Sequence, residues 1–290
     1  MCKMYLKSSY KAEQLRDYST LFLRSEVKKW LNDDFTSMNH RLKKYDEKLL
    51  KKDISYLRYL KYVYKVLEKN YPNEYIFKNE FLNQWLISEL GTNNSVIFNE
   101  LRVGKATADL ALFNGLSKVF EIKTLLDTDY RLSNQLKEYS KIFNEIYIIV
   151  PHSLIDKYLL LEDNIGIISY DSELQLFNLI RHSETNFEPD FYNIMDVLHT
   201  REYKEIVKDY YGSLPDMTDF TQFEICKKLI KEIPTHNLNS LFVKTIKNRK
   251  VNNLFFKKNY SQLNQICLSM NLNEKQQYRL IYKLSSTIKM

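Results

Sequence analysis

Three ionisable residues lie on either side of one turn, at spacings suited to a metal-dependent phosphodiesterase. Asp109 precedes an Asn114-Gly115 turn, and Glu121 and Lys123 follow it. Side chains alternate faces along a strand, so Glu121 and Lys123 project to the same side. Carboxylate oxygens are ligands that Mg²⁺ and Mn²⁺ prefer, and an ammonium group can orient water or offset developing charge. This pattern predicts metal-assisted phosphodiester hydrolysis.

The Glu-x-Lys spacing is not specific by itself, because Glu26-Val27-Lys28 and Glu202-Tyr203-Lys204 repeat it in segments with helical periodicity. The context of Glu121 is different, since apolar runs at 105–113 and 116–123 flank the Asn-Gly turn and predict a β-hairpin. A structural ion pair at a sheet edge is the alternative. Two acids and a lysine within apolar strands are costly to bury without purpose, which favours the metal site.

The register of this hairpin is a test of the site. A two-residue Asn114-Gly115 turn would place Asp109 opposite Phe120, on the other face from Glu121. A three-residue loop that includes Leu116, or a bulge, places Asp109 opposite Glu121 instead. We therefore predict the three-residue loop or a bulge.

The neighbouring segments predict the elements that would position these residues. Helical spacing of apolar residues predicts a helix over 77–90, a loop over 91–94 and a second helix with Leu132, Leu136 and Phe143 on its apolar face. Short apolar runs predict strands at 96–98, 145–150 and 165–170. Glu80 and Glu100 are candidates for a third carboxylate ligand, although each also fits a solvated position.

Motifs between Thr107 and Tyr139 resemble those of the PD-(D/E)XK nuclease superfamily. The resemblance rests on Thr107-Ala-Asp109, on Glu121-Ile-Lys123, on an Asp-Thr pair and on Arg131-Leu-x-x-Gln135-x-x-x-Tyr139, followed by an aliphatic strand. The resemblance covers roughly residues 76–187. Within it, the run from Glu121 to Val150 is similar to a narrower, largely uncharacterised bacterial and phage group of RecB-like and Cas4-like character.

The resemblance implies an α/β, restriction-endonuclease-like core: a helix, three antiparallel strands, a helix and a parallel strand. It implies that Asp109 and Glu121 are metal ligands and that Lys123 is the catalytic lysine. Gln135 and Tyr139 would support the site and touch nucleic acid. Ala108 replaces the proline of the founding motif, which is common in the superfamily. No histidine falls near the expected first helix, so the number of metals stays open.

Some of these residues also have simpler roles. The Gln-x-x-x-Tyr spacing recurs at Gln14 and Tyr18, so Gln135 and Tyr139 carry less weight than the two acids and the lysine. Asp127 and Asp129 are predicted to cap the helix that begins near Tyr130.

Composition and charge divide the chain into three predicted regions. Among 290 residues, 44% are hydrophobic and 27% are charged, which suffices for a buried core. Residues 1–75 carry a net charge of +7, residues 76–187 carry −5 and residues 188–290 carry +5. We predict basic helical regions on either side of an acidic nuclease-like core, and a polyanionic partner.

Targeting signals are lacking in the sequence. No apolar stretch approaches the ~20 residues that span a bilayer, and residues 1–7 have no secretory segment. Three widely separated cysteines fit a reducing cytoplasm. We therefore expect a cytoplasmic protein without a membrane partner.

The basic flanks offer candidate nucleic-acid contacts. A tyrosine-rich run at 56–67 could stack bases, although packing within a helical core is favoured. A basic cluster near the C-terminus could bind phosphates or form a solvated helix face: Lys244, Lys247, Arg249, Lys250, Lys257 and Lys258.

The sequence as a whole predicts a Mg²⁺- or Mn²⁺-dependent nuclease, acting on DNA in preference to RNA, as an endonuclease or exonuclease. The resemblance further suggests a role in phage defence or in a mobile element, with room for a protein regulator. The alternatives are a non-catalytic nucleic-acid-binding or assembly subunit that retains the fold, and a structural role in which the flanks drive oligomerisation.

Overall fold

The computed structural model describes residues 10–50, 53–90 and 95–288. Residues 1–7, Cys2 and the loop expected at 91–94 lie outside these ranges. The chain forms two compact units. The first, here the helical unit, comprises the described residues up to Gln84, Ser172–Leu176 and those from Asn252 onward. The second, here the sheet unit, comprises Trp85–Asp171 and Phe177–Val251.

The α-helices in chain order are α1 Ala12–Ser19, α2 Arg24–Leu31, α3 Thr36–Tyr45, α4 Glu47–Leu50, α5 Tyr56–Asn70, α6 Glu74–Phe81, α7 Ile87–Glu89, α8 Leu132–Tyr139, α9 Ile155–Tyr158, α10 Phe191–Val197, α11 Thr200–Tyr211, α12 Gln222–Lys231, α13 Thr235–Lys247, α14 Asn264–Ser269 and α15 Glu274–Leu284. The strands are β1 Val96–Val103, β2 Ala106–Phe113, β3 Ser117–Ile122, β4 Glu145–Pro151, β5 Gly166–Asp171 and β6 Leu176–Arg181.

The six strands form one mixed sheet in the order β1-β2-β3-β4-β5-β6. β1, β2 and β3 are antiparallel neighbours, whereas β4 is parallel to β3 and β5 is parallel to β4. A parallel neighbour requires a crossover connection, which α8 and α9 provide. Every residue of β4 is buried, as expected for a strand covered on both faces. The protein is therefore a mixed α/β protein with helical N- and C-terminal regions.

The hairpin between β2 and β3 has the predicted three-residue loop. Phe113 pairs with Ser117 and Leu110 with Phe120, so Asn114, Gly115 and Leu116 form the loop. The Asn114 N–H donates to the Leu116 carbonyl at 3.1 Å. Gly115 has φ +121°, a conformation that glycine adopts without strain. The predicted register is confirmed.

One face of the sheet packs against α8 and α13. Phe113 lies 6.0 Å, between ring centroids, from Phe143 and 6.2 Å from Phe242 of α13. Because side chains alternate along a strand, Asp109 shares this face with Ala111 and Phe113. The two candidate acids on β2 and β3 are thereby directed towards α8.

The tyrosine-rich segment 56–67 forms the core of the helical unit. Tyr56, Tyr59 and Tyr64 are buried on α5. Tyr59 and Tyr18 donate their hydroxyls to Asp46 at 2.9 and 2.5 Å. The packing interpretation is confirmed for these tyrosines, since buried rings cannot stack on bases.

Several elements differ from the prediction. The helix expected over 77–90 is interrupted by a π-helical turn at Leu82–Leu86, and the first strand extends to Val103 rather than Phe98. β6 was not predicted. Its side chains are half-buried or exposed in alternation, so it does not contribute a buried strand to the core. Residues 188–251 group with the sheet, and residues from 252 onward group with the N-terminal helices, so the units do not follow the predicted boundaries.

Candidate active site on β2 and β3

Asp109 and Glu121 lie opposite each other on neighbouring strands. Leu110 pairs with Phe120, and the same register continued by one residue brings Asp109 across from Glu121. Asp109 Oδ2 accepts a hydrogen bond from the Ile122 N–H at 2.8 Å. Where the backbone pairing of β2 with β3 ends, the Asp109 side chain thus accepts the next hydrogen bond from the β3 backbone.

Glu121 is the centre of a buried hydrogen-bond network. Its Oε1 accepts from Lys123 Nζ at 2.8 Å and from Gln135 Nε2 at 2.7 Å. Its Oε2 accepts from the Tyr139 hydroxyl at 2.8 Å. Glu121 is 3% exposed. The network explains how a carboxylate is accommodated here, because hydrogen bonds from charged and polar donors offset its desolvation.

Lys123 is held at the end of the strand beside Glu121. Its N–H donates to the Ile149 carbonyl at 2.9 Å, which extends the parallel pairing of β3 with β4 by one residue. Its ammonium also lies 3.2 Å from Gln135 Oε1. Only 7% of Lys123 is exposed, so the cation is desolvated as well as paired.

Tyr139 supports the network from α8. Its hydroxyl is close to two acceptors, Glu121 Oε2 and the Thr107 carbonyl, the latter at 2.9 Å. Burial, followed by the negative charges of Glu121 and Asp109, raises the pKa of Tyr139 well above its ordinary value. The phenol therefore stays protonated and acts as a donor, which makes Tyr139 a positioning residue. The structure thus brings together the five predicted site residues: Asp109, Glu121, Lys123, Gln135 and Tyr139.

The two candidates for a third carboxylate have other surroundings. Asn99 pairs with Leu110 and Leu101 with Ala108, so Glu100 lies across from Asp109 on β1, with a left-handed φ of +54°. Glu80 belongs to the helical unit, where its carboxylate accepts from Tyr64 Oη and Gln84 Nε2. In the described part of the chain, no group of three or more His, Cys, Asp or Glu side chains could hold a metal ion.

Asp109 and Glu121 fit a magnesium-type site with few protein ligands. Mg²⁺ is often bound through one or two carboxylates, with water and substrate phosphate completing its coordination. Both candidate ligands supply carboxylate oxygens, which hard cations of this kind prefer. The donor set therefore suits Mg²⁺ or Mn²⁺ better than a metal that needs a full set of protein ligands.

The predicted helix caps are wrong. Asp127 Oδ2 accepts from the Thr124 N–H and hydroxyl at 2.7 and 2.8 Å, and it closes a turn rather than capping α8. Asp129 accepts from Tyr158 Oη at 2.7 Å and forms an ion pair with Lys157. These partners lie on α9, nearly thirty residues later, so no local signal in the sequence could identify them.

A cleft of about 530 Å³ lies between α8 and the α9 region and was not predicted. Its lining includes Ser133, Lys137, Lys157 and Tyr158. These residues come from elements that are separate in the sequence, so no local sequence pattern predicts the cleft.

The basic residues of the C-terminal cluster have different roles. Lys244 forms an ion pair with Asp209 at 2.7 Å. Arg249 donates from Nε and Nη2 to the two Glu202 carboxylate oxygens, each at 2.7 Å, and also to the Val197 carbonyl. Lys257 and Lys258 belong to the helical unit, whereas Lys244, Lys247 and Lys250 belong to the sheet unit with Arg249. Arg249 is thus engaged in joining α11 to the end of α13.

Replacing Arg249 by methionine is expected to lower the free energy of unfolding by about 3 kcal/mol, because Glu202 would be left buried without its cation. Burial raises the pKa of Glu202, but hydrogen bonds from Arg249 and the His199 N–H outweigh it and hold the pKa below its ordinary value. The stabilisation is therefore present at neutral pH and is lost as the pH falls through the lowered pKa of Glu202. Urea denaturation at neutral and acidic pH measures both effects, and an equal loss in Lys247→Met would contradict this role.

No helix in the described ranges is both long enough and apolar enough to cross a bilayer.

Comparison with known proteins identifies the family of this chain. Residues 67–271 match the family model described as bacteriophage P4 protein cII. The chain belongs to the bacteriophage P4 protein cII family. The matched segment includes all the residues of the Glu121 network and extends into both units.

A relative within the P4 cII family is protein cII of Enterobacteria phage P4. It is 23% identical over 173 residues, which span 58% of this chain and 64% of the relative. The match thus covers less than two thirds of the relative. Among solved structures, the SPO1766 protein of unknown function from Silicibacter pomeroyi aligns with a TM-score of 0.31 and 14% identity, over 48% of this chain and 93% of that one. The P4 cII name states no activity, so the function has to be argued from the site.

Proposed function

We propose that this protein is a metal-dependent phosphodiesterase that cleaves nucleic acid, DNA in preference to RNA. The observation that carries the proposal is the placement of Asp109 opposite Glu121 with the Lys123 ammonium 2.8 Å from the Glu121 carboxylate. Two acids and a lysine converge at one point of a sheet. The backbone N–H of Ile122 holds Asp109, and the side chains of Gln135 and Tyr139 hold Glu121. This is an arrangement suited to binding a cation and a phosphate together.

The order of elements supports a restriction-endonuclease-like core. A helical segment precedes three antiparallel strands, and α8 then leads to the parallel strand β4. That order agrees with the expectation drawn from the PD-(D/E)XK resemblance, which supports the catalytic roles proposed for Asp109, Glu121 and Lys123.

In the proposed mechanism, Asp109 and Glu121 would hold Mg²⁺ or Mn²⁺. The chemistry that such a cation supplies is Lewis-acid activation of the scissile phosphate and of the attacking water. Lys123 orients the water or offsets the charge that develops on the phosphate oxygens. Gln135 and Tyr139 fix the rotamer of Glu121, because each donates to a different carboxylate oxygen.

The biological setting belongs to the same proposal. The family is named for a phage protein, which favours a role in a mobile element over a role in phage defence. A cytoplasmic location, where nucleic acid is accessible, fits this role.

A second candidate function is non-catalytic binding of nucleic acid or of an assembly partner by a retained fold. It is favoured by one observation: both Glu121 oxygens already accept hydrogen bonds from protein donors. A network satisfied in this way can serve stability alone. The two candidate functions differ in activity, because only the first requires cleavage that depends on a divalent cation.

Cleavage of labelled nucleic acids tests the proposal. Linear and circular DNA and RNA, single- and double-stranded, would be incubated with the protein in Mg²⁺, in Mn²⁺ and in EDTA. We expect cutting in either metal and none in EDTA, and cutting of circles would identify an endonuclease. Binding without cutting on every substrate would favour the second candidate.

A further inference from the structure

The loop that follows Lys123 exposes three large apolar side chains beside the candidate active site. Leu125 is 50% exposed, Leu126 is 54% exposed and Tyr130 is 76% exposed. Exposed apolar side chains that occur singly need no explanation, whereas three on one short loop make that loop a candidate contact surface. This group begins two residues after the candidate catalytic lysine.

The loop is fixed at both ends by its own acidic residues. Asp127 accepts from the backbone and hydroxyl of Thr124, and the Thr124 hydroxyl accepts from the Leu126 N–H at 3.2 Å. Asp129 is held by Tyr158 and Lys157. A loop anchored in this way presents its exposed side chains with little further loss of conformational entropy on binding.

Arg131 places a cation beside the Tyr130 ring. Its guanidinium carbon lies 5.2 Å from the ring centroid, within the range of a cation–π interaction. Arg131 is exposed and forms no ion pair with any residue in the described ranges. An aromatic ring open to stacking and a guanidinium open to a phosphate together match the chemistry of one nucleotide.

We propose that Tyr130 and Arg131 form a subsite for an unpaired nucleotide next to the cleaved bond, with the base stacked on Tyr130 and its phosphate on Arg131. The inference rests on the proposed nuclease function and names its substrate class. A base can present its face to a side chain only where it is not stacked in a continuous duplex. The preferred substrates are therefore single strands, flaps and frayed ends rather than blunt duplexes. A protein partner is the competing occupant of the same surface.

The test is the binding of short fluorescein-labelled oligonucleotides in EDTA, measured by anisotropy for single-stranded and blunt double-stranded DNA. We expect Tyr130→Ala to weaken single-strand binding about tenfold, Tyr130→Trp to retain it, and an abasic strand to show little dependence on residue 130. Tyr192→Ala is the matched control, because Tyr192 is also exposed and has Lys227 5.5 Å from its ring centroid.

The result separates this inference from the proposed function. Tyr130-dependent binding by a protein that cuts nothing would support the subsite and contradict the nuclease. Metal-dependent cutting with unchanged KM and unchanged binding in Tyr130→Ala would overturn the subsite and leave the nuclease standing. Equal weakening in Tyr192→Ala would also overturn it, and so would wild-type protein that binds no single strand, in which case a protein partner would be the better occupant.

Discussion

Replacing Lys123 by methionine is expected to reduce the rate of metal-dependent cleavage by at least about a hundredfold, which is the usual loss when one donor to a developing charge is removed. Methionine preserves much of the length of the side chain but has no charge. Gln135 and Tyr139 still donate to Glu121 in this variant. Removal of the cation from the buried Glu121 is expected to lower the stability, but these two hydrogen bonds favour retention of the fold, and circular dichroism would verify this.

Lys137→Met is the matched control for that experiment. Lys137 lies on α8, is exposed and forms no ion pair within the described part of the chain. We expect its variant to cut at close to the wild-type rate. Equal activity in Lys123→Met and the wild type would remove Lys123 from the mechanism, and an equal loss in Lys137→Met would indicate a general effect of lysine charge.

The second large effect concerns stability. Glu121→Ala is expected to lower the free energy of unfolding by about 3–5 kcal/mol, since it leaves the buried Lys123 ammonium without its carboxylate and removes the acceptor of Gln135 and Tyr139. Urea denaturation followed by circular dichroism gives this value. Glu188→Ala, which removes an exposed carboxylate, is the control and is expected to change stability little.

A double-mutant cycle sharpens this prediction. Once Lys123 is replaced by methionine, no cation remains to be stranded, so Glu121→Ala should cost less in that background than in the wild type. The coupling should exceed about 1 kcal/mol, because the two groups are in contact and desolvated. Additive losses would show that the ion pair contributes little and that the network is held by neutral hydrogen bonds.

The sequence was informative about this site because its geometry is local. The register of β2 and β3 depends on a short loop, and side-chain alternation leaves few ways to bring Asp109 and Glu121 to the same face. Gln135 and Tyr139 are one helical turn apart, so both can reach Glu121 from α8. Short-range rules were therefore enough to group these residues.

Features that depend on distant contacts were not predictable in this way. Asp129 suits a helix cap by its position, but Tyr158 on α9, which lies 29 positions later in the chain, binds its carboxylate instead. The sequence places Arg249 in a basic segment and predicts a solvated or phosphate-binding cation. In the structure it forms a buried ion pair with Glu202, which lies 47 positions earlier in the chain. The grouping of residues from 252 onward with the N-terminal helices likewise rests on packing between the two ends of the sequence.

The role of Asp109 and Glu121 in holding a catalytic cation is tested by measuring the cleavage rate as a function of Mg²⁺ concentration. The proteins compared are the wild type, Asp109→Asn and Asp163→Asn. Asp163 is an exposed carboxylate of the sheet unit, paired at the surface with Arg181. We expect Asp109→Asn to lose at least about a hundredfold in rate at all Mg²⁺ concentrations, while Asp163→Asn follows the wild type. Cleavage by Asp109→Asn at the wild-type rate, or cleavage by the wild type in EDTA, would contradict a cation held by Asp109 and Glu121.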